Sequence, residues 1–271
     1  MNMHTSNHTF AICAYGKSPY LEECVKSLAA QTVPSEVFIA TSTDCTFIRN
    51  IAECYDLNVL VNPDGPGICE DWNFAVKNAS TRYVTIAHQD DTYEPDYCRK
   101  MLLASEKYDD LLIYFTNYGE IRGDTIVDDD RLLSVKRRLL KPLTNPNKRR
   151  SAKAQRSVLR FGSSICCPSV TLDTNNIPLP LFTNEMKSNL DWQAWERLTH
   201  TQGAFYYDPT ILMHHRIHDG SETSRLIKDD TRTKEDLAML EKFWPVPLAK
   251  IINMFYSKGQ HSNSLREAGR N

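Results

Sequence analysis

The stretch Arg82-Tyr83-Val84-Thr85-Ile86-Ala87-His88-Gln89-Asp90-Asp91 decides how this chain reads. Residues 82–87 form a short apolar, β-branched run of the kind that makes a buried strand. Two adjacent acids stand just past its end. Asp90 and Asp91 repel each other when both are ionised, and enclosing them in a crevice is costly without a cation. A hard divalent ion, Mg²⁺ or Mn²⁺, bridging to substrate phosphates removes that cost. The competing reading is a solvated Asp-Asp turn ahead of Pro95.

Outward from this strand, short apolar runs alternate with segments of helical period. Thr9–Ala14, Glu36–Ala40, Leu57–Val61 and Leu111–Thr116 read as further strands. Ser18, followed by Pro19 and by Glu22 and Glu23 in the first turn, marks a helix start. Helices are also expected over Thr46–Tyr55, Ile68–Ala79 and Asp96–Lys107, and Asn62-Pro63-Asp64-Gly65-Pro66-Gly67 is a rigid turn before the second of them. The alternation predicts an α/β, Rossmann-like, doubly wound and mostly parallel sheet with helices on both faces. Right-handed crossovers bring the carboxyl ends of such strands to one edge, where ligands of open α/β sheets bind. Tyr15, Thr41-Ser42-Thr43-Asp44, Asn62 and Asp90-Asp91 each follow a strand and are expected to line one site.

The second half is less regular. Residues 131–160 hold eleven Lys or Arg and no acid, and Pro142 and Pro146 divide them into two expected helices. This stretch reads as a solvated face, as a surface attracted to an anionic membrane, or as a diphosphate-binding surface. Leu190–Thr201 is an expected helix closed by Gly203. Ala204–Tyr207 and Thr210–Ile217 are expected strands, Thr231–Phe243 a helix, and the polar tail from Ser257 frayed. Pro247–Tyr256 is a short apolar helix suited to an interface. His214, His215 and His218 invite a zinc reading, but spacing supplies no convincing further ligand or base.

With 271 residues, 41% hydrophobic and 24% charged, the composition is that of a soluble globular enzyme. A net charge of −2 argues against a general nucleic-acid binder. No secretory signal and no apolar run of the ~20 residues needed to span a bilayer are evident. The eight cysteines read as reduced, core-packing residues. A cytoplasmic location, peripheral at the inner face of the plasma membrane, is the expectation.

Several blocks occur together in a recognisable order. They are Phe10–Tyr15 with Tyr20–Leu28 and Gln31-Thr32, then Gly67-Ile68-Cys69-Glu70-Asp71-Trp72-Asn73-Phe74-Ala75, Tyr83–Asp91, Asp191-Trp192, and His215-Arg216-Ile217-His218-Asp219-Gly220-Ser221-Glu222-Thr223. Over residues 9–225 this order resembles the family 2 glycosyltransferases of the GT-A fold. The resemblance implies a GT-A domain over residues 1–225, with a donor half near 9–120 and an acceptor half near 121–225. Residues 226–271 would form a C-terminal helical extension and tail. It implies an inverting, metal-dependent transfer from a nucleotide-sugar, expected to be a UDP-sugar. The acceptor would be a hydroxyl of a glycan or lipid-diphosphate-linked oligosaccharide in cell-surface polysaccharide synthesis.

By the same resemblance, Ala14, Tyr15, Thr41, Ser42, Asp71, Asp90 and Arg216 would meet the donor. Asp90, Asp91 and His218 would hold Mn²⁺ or Mg²⁺, and Asp191 would be the general base. On its own residues, Asp191 reads equally as a first-turn helix acid. Trp72 and Trp192 could stack on base or sugar; Trp72, on a helix that must cover the sheet, could equally pack in the core. The chain departs from the family pattern at His88, which replaces the first acid of D-x-D-D, and at Thr41-Ser42, where an acidic pair commonly meets the base. It also has Leu190 where the "ED" pair begins. Base recognition then falls to Asp44 or Asp71. Two rivals remain: a nucleotidyltransferase, which usually has a more Gly-rich first loop, and a silent nucleotide- or glycan-binding module of the same fold.

Overall fold

Side-chain alternation along the first strands sorts the chain onto two faces of one sheet, as pleating requires. In the computed structural model, which describes residues 7–218 and 231–255, the strands are β1 (His8–Cys13), β2 (Glu36–Thr41), β3 (Asn58–Val61), β4 (Tyr83–His88), β5 (Thr92–Tyr93), β6 (Leu111–Arg122), β7 (Thr125–Val127), β8 (Val170–Asp173) and β9 (Ala204–Ile217). The helices are α1 (Leu21–Ala29), α2 (Thr46–Cys54), α3 (Ile68–Asn78), α4 (Tyr97–Ser105), α5 (Arg131–Leu140), α6 (Ala152–Leu159), α7 (Leu190–Leu198) and α8 (Thr231–Glu241).

Phe10, Ile12, Ile39 and Ala87 pack on one face with Leu21 and Cys24 of α1, Ile48 of α2 and Met101 of α4. Ala11, Ala40, Val84 and Ile86 pack on the other with Ala75 and Val76 of α3, Trp192 and Trp195 of α7, and Leu240 of α8. The sheet runs β3-β2-β1-β4-β8-β6-β9-β5, with β7 beside β6. Strands β3, β2, β1 and β4 are mutually parallel, so their carboxyl ends share one edge. β8 enters antiparallel between β4 and β6, and β9 lies parallel to β6. This is the curled, mostly parallel α/β sheet of the GT-A fold.

Several local expectations need correction. Helix α1 begins at Leu21, and Ser18 does not cap it by the usual side-chain bond. Ser18 Oγ instead donates to Asp90 Oδ1 and accepts from Tyr20 N. The two strands expected at 204–217 are one continuous strand. Pro209, which cannot donate, sits opposite register shifts between Thr116 and Gly119, and a bulge absorbs the missing bond. β6 runs on to Arg122 rather than stopping at Thr116, while β5, β7 and β8 are short strands that the apolar pattern did not mark. Within 131–160, α5 and α6 do flank Pro142 and Pro146, with 3-10 turns at Lys141–Thr144 and Pro146–Lys148. No disulfide joins any of the eight cysteines, and Cys54 is exposed rather than packed in the core. Residues 219–223 of the closing loop, the expected boundary at 225/226 and the tail from Ser257 lie outside the described residues.

Candidate active site

The loops that leave the parallel strands are laced together. Tyr15 N donates to Gln89 Oε1 at 3.1 Å, and Gln89 Nε2 returns a bond to Tyr15 O at 3.2 Å. Gly16 N donates to Thr43 Oγ1 at 2.7 Å, joining the β1 loop to the β2 loop. Tyr15 itself stands 61% exposed over this edge, an open aromatic surface. Ala14 is buried, with its N–H on Ala40 O at 2.9 Å. Thr41 is also fully buried, and its hydroxyl accepts from Thr43 N at 3.0 Å. Thr41 therefore offers no side chain to a ligand, while Thr43, expected with it at this edge, is only partly buried and ties the two loops.

Asp71 is buried on α3 and braces two strand ends. Its Oδ2 accepts from Ser42 Oγ and its Oδ1 from Asn62 Nδ2, both at 2.7 Å. A Cβ on Gly65 would lie 2.2 Å from Ser42 Cβ, so only glycine lets the β3–α3 turn approach this brace. Asp44, the other acid considered for base recognition, is bidentate with Arg49 at 2.8 Å, which holds its carboxyl below the usual range. Both acids thus use each carboxylate oxygen on the protein itself.

Beyond β4, Asp90 and Asp91 have different surroundings. Asp90 Oδ1 takes the Ser18 hydroxyl, while its Oδ2 lies 3.1 Å from His218 Nε2. Asp91 is fully buried. Its Oδ1 lies 3.0 Å from His215 Nδ1 and accepts Arg216 N at 2.9 Å. Burial opposes its charge, but the His215 imidazole, nearby His88 and the Arg216 N–H hold its carboxyl below the ordinary value. Burial likewise opposes the His215 cation, and Asp91 more than offsets it, so that imidazole is raised. Asp91 Oδ2 is buried with no hydrogen-bond partner. Arg216 donates from Nε to Asp90 O at 3.0 Å and pairs with Glu23, its guanidinium 4.3 Å from the centre of the Tyr20 ring.

Among the described residues, no three His, Cys, Asp or Glu side chains converge as a ready ligand cluster. The zinc reading also lacks a shared focus. His214 turns to Asp128 at 3.0 Å, His215 to Asp91 and His218 to Asp90. The donor chemistry near Asp90 still suits a substrate-completed Mg²⁺ or Mn²⁺ site. A carboxylate and an imidazole lie side by side, and an orphaned buried oxygen of Asp91 is close in sequence.

His88 stacks on Trp72 at 5.3 Å with planes 24° apart, and burial lowers its imidazole. Trp192 is fully buried, with Nε1 donating to Leu159 O at 3.0 Å, so it belongs to the core and not to a sugar platform.

Asp191 sits in the first turn of α7, half-buried, with Ser163 Oγ donating to its Oδ2 at 3.3 Å. Burial raises its carboxyl above the usual range. The thiols of Cys166 and Cys167 are pushed up by burial and, in the same direction, by the charges of Asp191 and Asp91. Ser163 and Cys166 carried no sequence signal; only the fold brings them here.

Loops gathered at the carboxyl ends of parallel strands, with paired acids past the fourth, are where open α/β sheets of the ligand-binding class take their ligands. The sequence profile described as "Glycosyl transferase family 2" matches residues 9–169, more than half of the chain, and the protein belongs to that family. EpsH of Bacillus subtilis (strain 168), named as a glycosyltransferase, is 27% identical over 128 residues, 45% of this chain and 37% of EpsH. The match thus spans well under half of that relative's length. Two solved structures share the fold. Staphylococcus (S.) aureus TarS 1-349 in complex with UDP-GlcNAc has a TM-score of 0.61 and 16% identity, covering 91% of this chain and 70% of TarS 1-349. The mannosyltransferase PcManGT of Pyrobaculum calidifontis, in complex with GDP-Man and Mn²⁺, has a TM-score of 0.60 and 11% identity over 94% and 70% of the two chains.

Proposed function

We propose that the protein transfers a sugar, with inversion, from a nucleotide-sugar donor to a hydroxyl of a glycan or lipid-linked oligosaccharide used in cell-surface polysaccharide. The observation that carries this reading is the Asp90–His218 pair at the edge where the parallel strands end. Complexes of UDP-GlcNAc with TarS and of GDP-Man with PcManGT support a nucleotide-sugar donor, and a UDP-sugar is the first choice.

The nucleotide lies over Tyr15 and along the loops after β1 and β2, with Ala14 and Thr41 supplying backbone and Ser42 and Asp71 shaping the base pocket. Asp90 and His218, with the spare oxygen of Asp91, would hold Mn²⁺ or Mg²⁺, which when bound would supply positive charge to the departing diphosphate. Arg216, expected at the donor, has its guanidinium committed to Glu23 and to Asp90 O and so positions Asp90 on the same side. Asp191 takes the proton from the acceptor hydroxyl as that oxygen attacks the anomeric carbon. A carboxylate raised by burial is a better base than an ordinary one.

Peripheral contact with an anionic membrane completes the reading. No helix among the described residues is long and apolar enough to cross a bilayer. The helical stretch 246–255 leaves Leu248, Ile251, Met254 and Phe255 exposed, a face suited to an interface. Arg131, Arg138, Lys141, Lys148 and Lys153 are exposed cations in the same half of the chain.

Incubation with a panel of UDP-, GDP- and TDP-sugars and Mn²⁺ tests the activity. Slow release of nucleoside diphosphate from one of them is expected; no release from any would defeat the reading.

A further inference from the structure

Strands β1 and β4 run side by side as far as Cys13 and His88, the last pair in register. There the two chains part, and β4 enters the turn that carries Asp90 and Asp91, closed by Asp91 N on His88 O at 3.2 Å. Gln89, between the strand end and the acids, turns its side chain to the main chain of Tyr15. Its Oε1 accepts from Tyr15 N at 3.1 Å, and its Nε2 donates to Tyr15 O at 3.2 Å. The amide thus offers the acceptor and the donor that a neighbouring strand would, adding one rung past the end of the ladder. A carboxylate at this place could only accept.

That rung fixes the residue of the β1 loop that faces outward. Tyr15 is mostly exposed, so its direction is set by its main chain more than by packing on its ring. The next residue, Gly16, has φ +61°, in the left-handed region that glycine enters freely, and its N–H meets Thr43 Oγ1 at 2.7 Å. Ser18 then closes the loop on Asp90. The loop after β1 is therefore tied at three points, to Gln89 and Asp90 of one turn and to Thr43 of the β2 loop. The mechanism above gives Gln89 no part.

We propose that Gln89 is a positioning residue for the donor: its amide holds Tyr15 as a preset stacking surface for the nucleobase and ties that surface to the turn bearing Asp90. The proposal rests on the nucleotide-sugar reading given above. A loop that must be ordered at the moment of binding lowers affinity, and a loop already tied avoids that loss. Gln89 and Asp90 are adjacent, so base and diphosphate meet parts of one turn, at a spacing that the two bonds to Tyr15 fix. Gln89 acts through Tyr15 and not by touching the nucleotide.

The test is a double-mutant cycle read by calorimetric titration of the full chain with UDP, GDP and TDP in the presence of Mn²⁺. The wild type, Gln89→Met, Tyr15→Ala and Gln89→Met/Tyr15→Ala are compared, with thermal unfolding to confirm that each is folded. Methionine keeps the length of the side chain and loses both bonds. Gln89→Met should bind nucleotide about tenfold more weakly, Tyr15→Ala at least as weakly, and the double variant no more weakly than Tyr15→Ala alone. A residue that met the nucleotide independently would give losses that multiply. In amide exchange without nucleotide, the Tyr15 N–H should exchange faster in Gln89→Met than in the wild type, while the amides of β1 keep their protection. Wild-type affinity in Gln89→Met, multiplied losses in the double variant, or unchanged exchange at Tyr15 each overturns the proposal. A wild-type chain that binds none of the three nucleotides defeats the donor reading and the positioning role with it, whereas binding that survives Gln89→Met defeats the positioning role alone.

Discussion

His215 Nδ1 lies 3.0 Å from Asp91 Oδ1, joining the last residues of β9 to the residues just past β4. Arg216 N reaches the same oxygen, so one buried carboxylate fixes where β9 ends. His218, three residues beyond His215, is thereby delivered to Asp90. The sequence reading set both acids on one ion; their surroundings differ, Asp91 being buried with one oxygen spent on the end of β9 and Asp90 partly exposed beside His218.

Asp91→Asn should destabilise the fold by about 3 kcal/mol, because it leaves a buried imidazole without its charge partner. Urea unfolding checks this. The pH dependence has two signs. The lowered carboxyl contributes stability above its unfolded value, lost as pH falls through the folded one. The raised imidazole contributes below about pH 6.5, lost as pH rises through its folded value. The wild-type advantage over Asp91→Asn should therefore peak in mildly acidic solution; a difference that is flat with pH would contradict the pairing.

Asp191→Asn should lower transfer by about a hundredfold or more while donor binding persists. Stability should move the opposite way. A carboxyl raised in the folded state binds more protons there than when unfolded, so it costs stability as pH rises past its unfolded value near 4. At pH 7 the variant should melt higher than the wild type. Undiminished turnover would remove Asp191 from the mechanism, and a lower melting temperature would contradict the burial of its charge.

Transfer should stop in EDTA and return with Mn²⁺ or Mg²⁺. Asp90→Asn and His218→Ala should each raise the metal concentration needed for half-maximal rate by about tenfold or more, since each removes one side-chain ligand. Full activity in chelator would rule out the ion.

Asp71→Ala removes the carboxylate to which both the Ser42 hydroxyl and the Asn62 amide donate. The KM for donor should rise by about tenfold with a smaller change in kcat, as expected when pocket shape and not chemistry is disturbed. A loss confined to kcat would assign Asp71 a different task.

Fold class was legible because the buried parallel strands are apolar runs bounded by polar loops, and Phe10–Tyr15 and Tyr83–Asp91 announce themselves locally. β8 was not, since Val170-Thr171-Leu172-Asp173 is short and takes its strand form from pairing on both sides with β4 and β6. At the site, the acids past β4 could be read from position alone. The Ser18–Asp90, Thr43–Gly16 and Ser163–Asp191 contacts could not, because ordinary serines and threonines signal nothing until distant loops meet. Trp192 misled for the opposite reason: it stands beside Asp191 in sequence, while helical geometry turns its ring into the core.

The glycine at position 65 leaves the wall around Ser42 and Asp71 no tolerance for a side chain. Variation in nucleotide preference among relatives that keep this glycine has to be written elsewhere, on the open rim formed by Tyr15, Thr43 and Gln89. Libraries aimed at new donors should spare the turn and randomise that rim.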